Sequence, residues 1–361
     1  MEVEDFIKKW FTTYYKDNIG DVIPPRSVSQ REFGFIIFKG KTMVRHRGFK
    51  EPEELRRFIG DLIPADAYHS SAYYERPEAD MDEKGWLGSD LIFDIDADHL
   101  SLPCKREHDR WICLSCGETG GGNAPEICPR CGGKIREETW ICEECLNTAK
   151  GEVIKLIEFL TDDFGFSQEE LHVNFTGHRG YHIHVISDTV TPLGREERKE
   201  IVDYITGTGV DLSLLNPRSE GGFLDAPNWI RKILGKLSSK GTTIKGKMRW
   251  IGAAQRVISE VSVKVDTVVT TDVHRLIRIG GTLNSKTGMK VVKIPLKRID
   301  LFDPFKDAVA IKGGEAEVYV EEAPKFRLMD REFGPYSKAK VELPIEAAVL
   351  LVCKGRAYPT I

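Results

Sequence analysis

Seven of the chain's eight cysteines lie between Cys104 and Cys145, and that crowding constrains the fold more than any other feature. Six of them form CxxC pairs, Cys113/Cys116, Cys128/Cys131 and Cys142/Cys145, while Cys104 has His108 four residues on. The N-terminus (Met1-Glu2-Val3-Glu4-Asp5) is acidic, unlike a secretory signal, and no apolar run approaches the ~20 residues of a membrane helix. The chain therefore reads as cytosolic with no membrane partner, and its thiols read as metal ligands rather than disulfides. Zinc takes four ligands in a tetrahedron, and a CxxC turn supplies two thiolates from one tight loop. Cys113, Cys116, Cys128 and Cys131, with Gly132 and Gly133 behind them, read as a zinc ribbon spanning 113–131. Cys104, His108, Cys142 and Cys145 remain for a second zinc within the wider region 104–145. Trp-Ile precedes both Cys113 and Cys142, as if the ribbon were inserted into an older site. A swapped set such as Cys104, His108, Cys113 and Cys116 stays chemically open. Neither set leaves an open coordination position, so both ions are expected to be structural.

Immediately upstream, Leu91-Ile92-Phe93 leads into Asp94-Ile95-Asp96. The β-rich lead-in argues for a strand, on which residues i and i+2 share a face with Cα atoms roughly 7 Å apart. Two carboxylates held this way repel each other unless a divalent cation sits between them. A pair of such cations roughly 4 Å apart activates an attacking oxygen and neutralises a leaving pyrophosphate. A solvated acidic strand end is the plainer alternative.

With 361 residues, 41% apolar and 30% charged, the chain can bury a substantial core as one large or two modest domains. Its net charge of −4 means that any nucleic-acid contact must use local basic clusters. Candidates are Lys39 to Lys50 (with Arg45 and Arg47), Arg231 to Arg249, and His274 to Lys293. Helical periodicity predicts helices over 3–16, 52–63, 147–164 and 345–353. A hairpin is expected over 33–45 and two β segments around Gly177 from Leu171 to Ile186. Further strands are expected over 261–269 and 289–296, and a helical insertion over 194–250. Hairpins mixed with helices favour an α/β fold with a mixed sheet over a purely parallel one. The P-loop and dinucleotide fingerprints are both absent from the sequence.

Two more constellations carry chemistry. Thr176-Gly177-His178-Arg179-Gly180-Tyr181-His182 joins two strand-like segments through a glycine-flanked turn, and its hydroxyl and guanidinium suit phosphate oxygens. Asp266, then Asp272, His274, Arg275 and Arg278, then Asn284, Ser285, Lys286 and Gly288, set basic groups among glycines and hydroxyls as a triphosphate clamp would. Asp266 or Asp272 could supply a third metal carboxylate.

Together these motifs resemble the small, catalytic subunit of archaeal and eukaryotic DNA primase, the archaeal version more closely. The matching pieces are Arg31-Glu32-Phe33-Gly34-Phe35, Phe93 to Asp96, the Cys/His cluster, Thr176 to His182, His274 to Arg278 through Lys286-Thr287-Gly288, and Val341 to Pro344. They run in order over nearly the whole chain. The resemblance implies a primase catalytic α/β core over 1–193 and 251–361. It implies Asp94, Asp96 and Asp266 as ligands of two Mg²⁺ or Mn²⁺ ions, with Asp272 in reserve. Thr176, Gly177, Arg179 and His182 match its nucleotide-phosphate motif, Arg278, Asn284 and Lys286 its second clamp, and Arg45 its arginine near the active site. This chain departs from the family in having Thr176 for a common serine, His178 for a second arginine and Asn284 for a histidine.

The expected activity is template-directed synthesis of short primers from NTPs or dNTPs on single-stranded DNA for replication, by nucleotidyl transfer. The implied partners are a primase large subunit and the replicative polymerases. A metal-dependent nuclease would also cluster carboxylates but would degrade strands rather than extend them. A zinc-ribbon scaffold that merely binds nucleic acid would make no primers with any divalent metal.

Overall fold

The site is built between two four-stranded sheets. A computed structural model describes residues 2–212, 228–239 and 247–360. The first sheet runs Leu276–Arg278, Asp66–Ser70, Phe33–Ile36, Met43–Arg47, and the second Val292–Ile294, Leu171–Phe175, Gly180–Val185, Leu91–Asp96. Among the described residues every strand pairing is antiparallel. The expectation of a mixed sheet is corrected accordingly. Helices do alternate with strands, but neighbouring strands are reached through hairpins such as 171–185, which need no parallel crossover.

Register fixes what faces the cleft. In the second sheet Asp94 lies opposite His182, which lies opposite Asn174, and Asp96 lies opposite Gly180. In the first, Arg278 lies opposite Tyr68, itself opposite Gly34. The strand Leu91–Asp96 buries Leu91, Ile92, Phe93 and Ile95, so it is anchored on both faces until its two aspartates.

The expected N-terminal helix runs Val3–Asn18 and buries Phe6, Phe11, Tyr14 and Tyr15. Its two tyrosines reach the site: the Tyr14 hydroxyl donates to Gly281 O at 2.7 Å and the Tyr15 hydroxyl accepts from Leu283 N at 3.1 Å. They pin the loop that carries Asn284 and Lys286. The C-terminal helix Ile345–Cys353 is apolar except for Glu346 in its first turn and buries seven of its residues, as such a helix must. It connects the two outer strands of a three-stranded sheet, Tyr336–Pro344 and Ala357–Pro359, which flank Glu315–Ala323. The cysteine-rich region forms its own small sheet, Thr119–Gly121, Arg110–Cys113 and Ile135–Glu138, tied to the C-terminal sheet by an Arg110–Glu322 ion pair.

Three helices lie in the expected insertion, Arg195–Thr206, Asn228–Ser239 and Lys247–Val261; residues 213–227 and 240–246 of it fall outside the described residues. Ile233, Leu237, Trp250, Ala254 and Val257 form a small core of their own between the last two helices. The last helix passes through residue 250 unbroken, so the expected boundary at 250 falls inside it. The strand expected over 261–269 is a second correction. Its β-branched run misleads, because the Asp266 side chain accepts from Val268 N and Val269 N and so starts a short helix, Thr267–Thr271.

Candidate active site

The cleft between the sheets encloses about 170 Å³ and is lined by Asp94, Asp96, His182, Tyr68, Arg275, Arg278 and Lys286, among others. Carboxylates form one wall and cations the other. Asp94 and Asp96 share a strand face, as the alternation requires. Asp266 arrives from 170 residues away in sequence: its backbone N–H donates to Asp94 O at 2.9 Å. One of its carboxylate oxygens caps the short helix, while Oδ2 lies 3.6 Å from His99 Nε2. Asp272 sits at the far end of that helix, where Oδ1 accepts from His274 N at 2.9 Å. A further acidic residue, Asp98, was not singled out in the sequence. Asp96, Asp98 and His178 each place one ligand atom within 4.8 Å of the others.

Burial dominates the electrostatics. It raises Asp94 to about 6, helped by the neighbouring Asp266 charge, and raises Asp96 to about 6, helped by Asp98. The same desolvation, then Arg278 and Arg275, pushes His182 down to about 3, so its imidazole is neutral although Nε2 lies 3.6 Å from Asp94 Oδ1. Bound cations must displace protons from the two aspartates below about pH 6. Mn²⁺ affinity, measured by titration calorimetry, should therefore fall as pH drops from 7 to 5, each displaced proton adding about tenfold per pH unit. An affinity flat across that range would show that these carboxylates are not the ligands.

Several expected phosphate contacts point inward instead. Gly177 adopts φ +78°, and a Cβ there would meet Asn284 Cβ at 2.9 Å. At Gly180 a Cβ would meet Ile95 O at 2.5 Å. The turn thus packs directly on the acidic strand and the clamp loop. Its buried Thr176 donates to Gly180 O at 3.1 Å, and buried Asn284 donates to Thr176 O at 3.0 Å while accepting from Lys286 N at 2.9 Å. These two side chains line the cleft but hold the loops together. Arg179 is the clearest correction. It is fully buried, with Nη1 3.0 Å from Asp98 and 2.9 Å from Asp109, and Nη2 reaches Cys145 Sγ. An unpaired guanidinium there would be costly to bury, and two carboxylates draw it toward the zinc region rather than the cleft.

Arg278 and Lys286, the residues expected to clamp phosphate, both line the cleft. Buried Asp66 orients Arg278 through an ion pair and also accepts from Ser285 Oγ at 2.6 Å. Arg45 lies on an edge strand, its Nε 3.0 Å from buried Glu32. Sequence reasoning missed Tyr68 and Lys354, and it named Arg275 among the basic groups without placing it in the second clamp. Lys354, which follows the C-terminal helix and places Nζ 3.1 Å from His178 Nε2, had no local signal.

The cysteines assemble in the expected partition. Cys104, His108, Cys142 and Cys145 form one group and Cys113, Cys116, Cys128 and Cys131 the other. Sulfur–sulfur separations of 3.5 Å (Cys104–Cys145, Cys113–Cys131) and 3.7 Å (Cys104–Cys142, Cys116–Cys128) match the ~3.8 Å edge of a tetrahedron with Zn–S bonds of ~2.3 Å. Asp109 Oδ1 lies 2.8 Å from His108 Nδ1, leaving Nε2 for a metal.

Paired carboxylates face cations across a narrow cleft, an arrangement of the kind that suits a polyphosphate beside a divalent metal. A family model described as DNA primase small subunit matches residues 125–296. The DNA primase small subunit PriS of Cenarchaeum symbiosum is 36% identical over 96% of both chains, and that of Archaeoglobus fulgidus 36% identical over 98% of this chain and 97% of its own. That of Nitrosopumilus maritimus is 34% identical over 98% and 97%. The chain belongs to the DNA primase small-subunit family, and it is a primase, a nucleotidyltransferase. Among solved structures, the polymerase domain of Mycobacterium tuberculosis ligase D in complex with DNA aligns over 83% of each chain at 8% identity and a TM-score of 0.37, too loose a likeness to bear on function. No helix among the described residues is long and apolar enough to cross a membrane.

Proposed function

We propose that this primase extends a strand by template-directed nucleotidyl transfer at the cleft between the sheets, with Asp94, Asp96 and Asp266 as ligands of two Mg²⁺ or Mn²⁺ ions. The carrying observation is that Asp94 and Asp96 line the cleft from one strand face and that, among the described residues, no lysine or arginine pairs with either. Their donor set is all oxygen, which suits hard divalent cations. When bound, those ions supply Lewis-acid activation of a primer 3′-hydroxyl and charge neutralisation of the leaving pyrophosphate. Arg278, Arg275 and Lys286 hold the triphosphate from the opposite wall, and neutral His182 donates a hydrogen bond without repelling a cation beside Asp94. Asp66 and the Thr176–Asn284 bond position these groups in advance, so little reorganisation is left to the reaction.

On this reading the catalytic core comprises 1–193 and 251–361, with the zinc region 104–145 and the helical insertion as additions. The two Cys/His sets hold structural zinc. Single-stranded DNA is the template, NTPs or dNTPs the substrates, and a large subunit and replicative polymerases the partners.

Primer extension on single-stranded DNA tests it, with each nucleotide pool and each metal supplied in turn. Lys286→Ala removes one charge-assisted contact worth about 1.5–3 kcal/mol, so kcat/KM for the incoming nucleotide should fall about tenfold to a hundredfold, chiefly through KM. Unchanged nucleotide kinetics in this variant would remove Lys286 from the clamp.

A further inference from the structure

A second pocket opens on the same sheet face, one strand position beyond His182. It encloses about 140 Å³, well below the ~300–1,000 Å³ of clefts that take drug-sized ligands. Arg26, His172, Asn174, His184 and Lys293 line it, and Arg278 lines both this pocket and the catalytic cleft. The strand alternation explains the pairing. His182 and His184 lie on one face with ring centroids 6.2 Å apart, so the first serves the cleft and the second the pocket.

Three observations give the pocket its chemistry. First, the one carboxylate among its described lining residues is spent: Asp90 is 2% exposed, with one oxygen 2.5 Å from Arg31 and the other accepting from the Tyr73 hydroxyl at 2.6 Å. Second, the cations at its rim are loosely held. Lys293 lies 3.5 Å from His172 Nδ1, and Arg26 has only a solvent-exposed contact with Asp188 at 3.9 Å. Third, His184 is 6% exposed and its Nε2 has no hydrogen-bond partner. A buried polar nitrogen left unpaired costs on the order of 1–3 kcal/mol, which a ligand acceptor would recover. His69, 7% exposed, stands beside it with ring centroids 6.4 Å apart.

We propose that this pocket is a phosphate-group subsite adjoining the catalytic cleft, separate from the Arg278–Lys286 clamp. Its cationic rim attracts the anion, and the Asn174 amide and the His184 ring hydrogen-bond its oxygens inside. Two sources of that chemistry are at hand: free pyrophosphate departing from the reaction, or a backbone phosphate of the bound strand. The inference rests on the nucleotidyl-transfer reading for the origin of the phosphate, but not for its binding.

The test is titration calorimetry of the full chain without added divalent cation, using inorganic pyrophosphate and, separately, a short single-stranded oligodeoxynucleotide. A Lys286→Ala background suppresses binding in the catalytic cleft. Lys293→Glu changes the rim, and the near-isosteric Asn174→Leu changes the interior without changing charge; His184→Phe is a second uncharged variant should Asn174→Leu fail to fold. Pyrophosphate affinity should drop at least tenfold in both the rim and the interior variant. If oligonucleotide affinity drops alongside, the natural occupant is a strand phosphate; if it holds, the occupant is free pyrophosphate. A loss confined to Lys293→Glu would be long-range attraction alone and would overturn the subsite, as would unchanged binding throughout. Either of those results would leave nucleotidyl transfer standing so long as the protein with Lys286 unchanged makes primers.

Discussion

Asp94→Asn should reduce primer synthesis on the order of a thousandfold or more, and at the same time make the metal-free protein harder to unfold. The first effect follows from losing a metal ligand, which removes several kcal/mol of transition-state stabilisation. The second follows from linkage. Asp94 is raised above the unfolded value, to about 6, chiefly by burial and then by the Asp266 charge. The folded state thus binds the proton more tightly than the unfolded one. Stability from this group is gained as pH falls below about 6 and is fully forfeited above it, where the folded protein must carry an unwelcome charge. Asparagine keeps the shape and removes that charge. At pH 8 without divalent metal, the variant's urea midpoint should therefore exceed the wild type's, and the gap should close toward pH 4. Added Mn²⁺ should raise the wild-type midpoint and leave the variant's nearly unchanged. A wild type more stable than the variant in the absence of metal would mean that Asp94 is already satisfied by the protein and is not held ready for a cation.

The parts of this site that were legible in the sequence are those with short-range signatures. Alternation placed Asp94 and Asp96 on one face, and CxxC spacing sorted eight ligands into two sets that the structure brings together. The apolar run at Ile345–Cys353 marked a buried helix without ambiguity. What escaped depended on partners distant in sequence. Asp98 and Asp109 decide which way Arg179 turns, yet neither lies near it in the chain. The role of Lys354 depends on a contact across 176 residues. The antiparallel pair Glu315–Ala323 and Tyr336–Pro344 was missed although it was legible, since Ala316, Val318 and Val320 in one strand and Ala339, Val341 and Leu343 in the other alternate with charged or polar residues. The Asp266 segment misleads in the other direction. Its β-branched residues favour a strand, and one side-chain cap reverses that preference.

Arg179 joins the cysteine-rich region, the proposed zinc site, to the strand of Asp94 and Asp96, and replacing it should damage folding before it damages nucleotide binding. The connection is a continuous set of polar contacts, buried as far as Arg179 and open to solvent at Asp98. His108 is bonded to Asp109, which also accepts from Trp140 N at 2.8 Å. Asp109 pairs with Arg179, and Arg179 pairs in turn with Asp98, whose N–H donates to Asp96 Oδ1 at 2.8 Å. The backbone closes the same path, since Ala97 N donates to Arg179 O at 3.0 Å. Arg179→Met would leave Asp109, itself 5% exposed, as a buried carboxylate short of its cation. Breaking a buried pair in this way costs about 3–5 kcal/mol, which should appear as a lower urea midpoint and as faster release of zinc to a colorimetric chelator. Arg179→Lys should recover only part of the loss, because an ammonium cannot reproduce the guanidinium fork that reaches two carboxylates and a thiolate. Nucleotide affinity in the surviving folded fraction should stay within about threefold of wild type, since a contact that is not made removes less than the ~1 kcal/mol typical of a hydrogen bond. The opposite pattern, normal stability and zinc retention with nucleotide affinity reduced a hundredfold, would show that Arg179 swings into the cleft and grips phosphate after all.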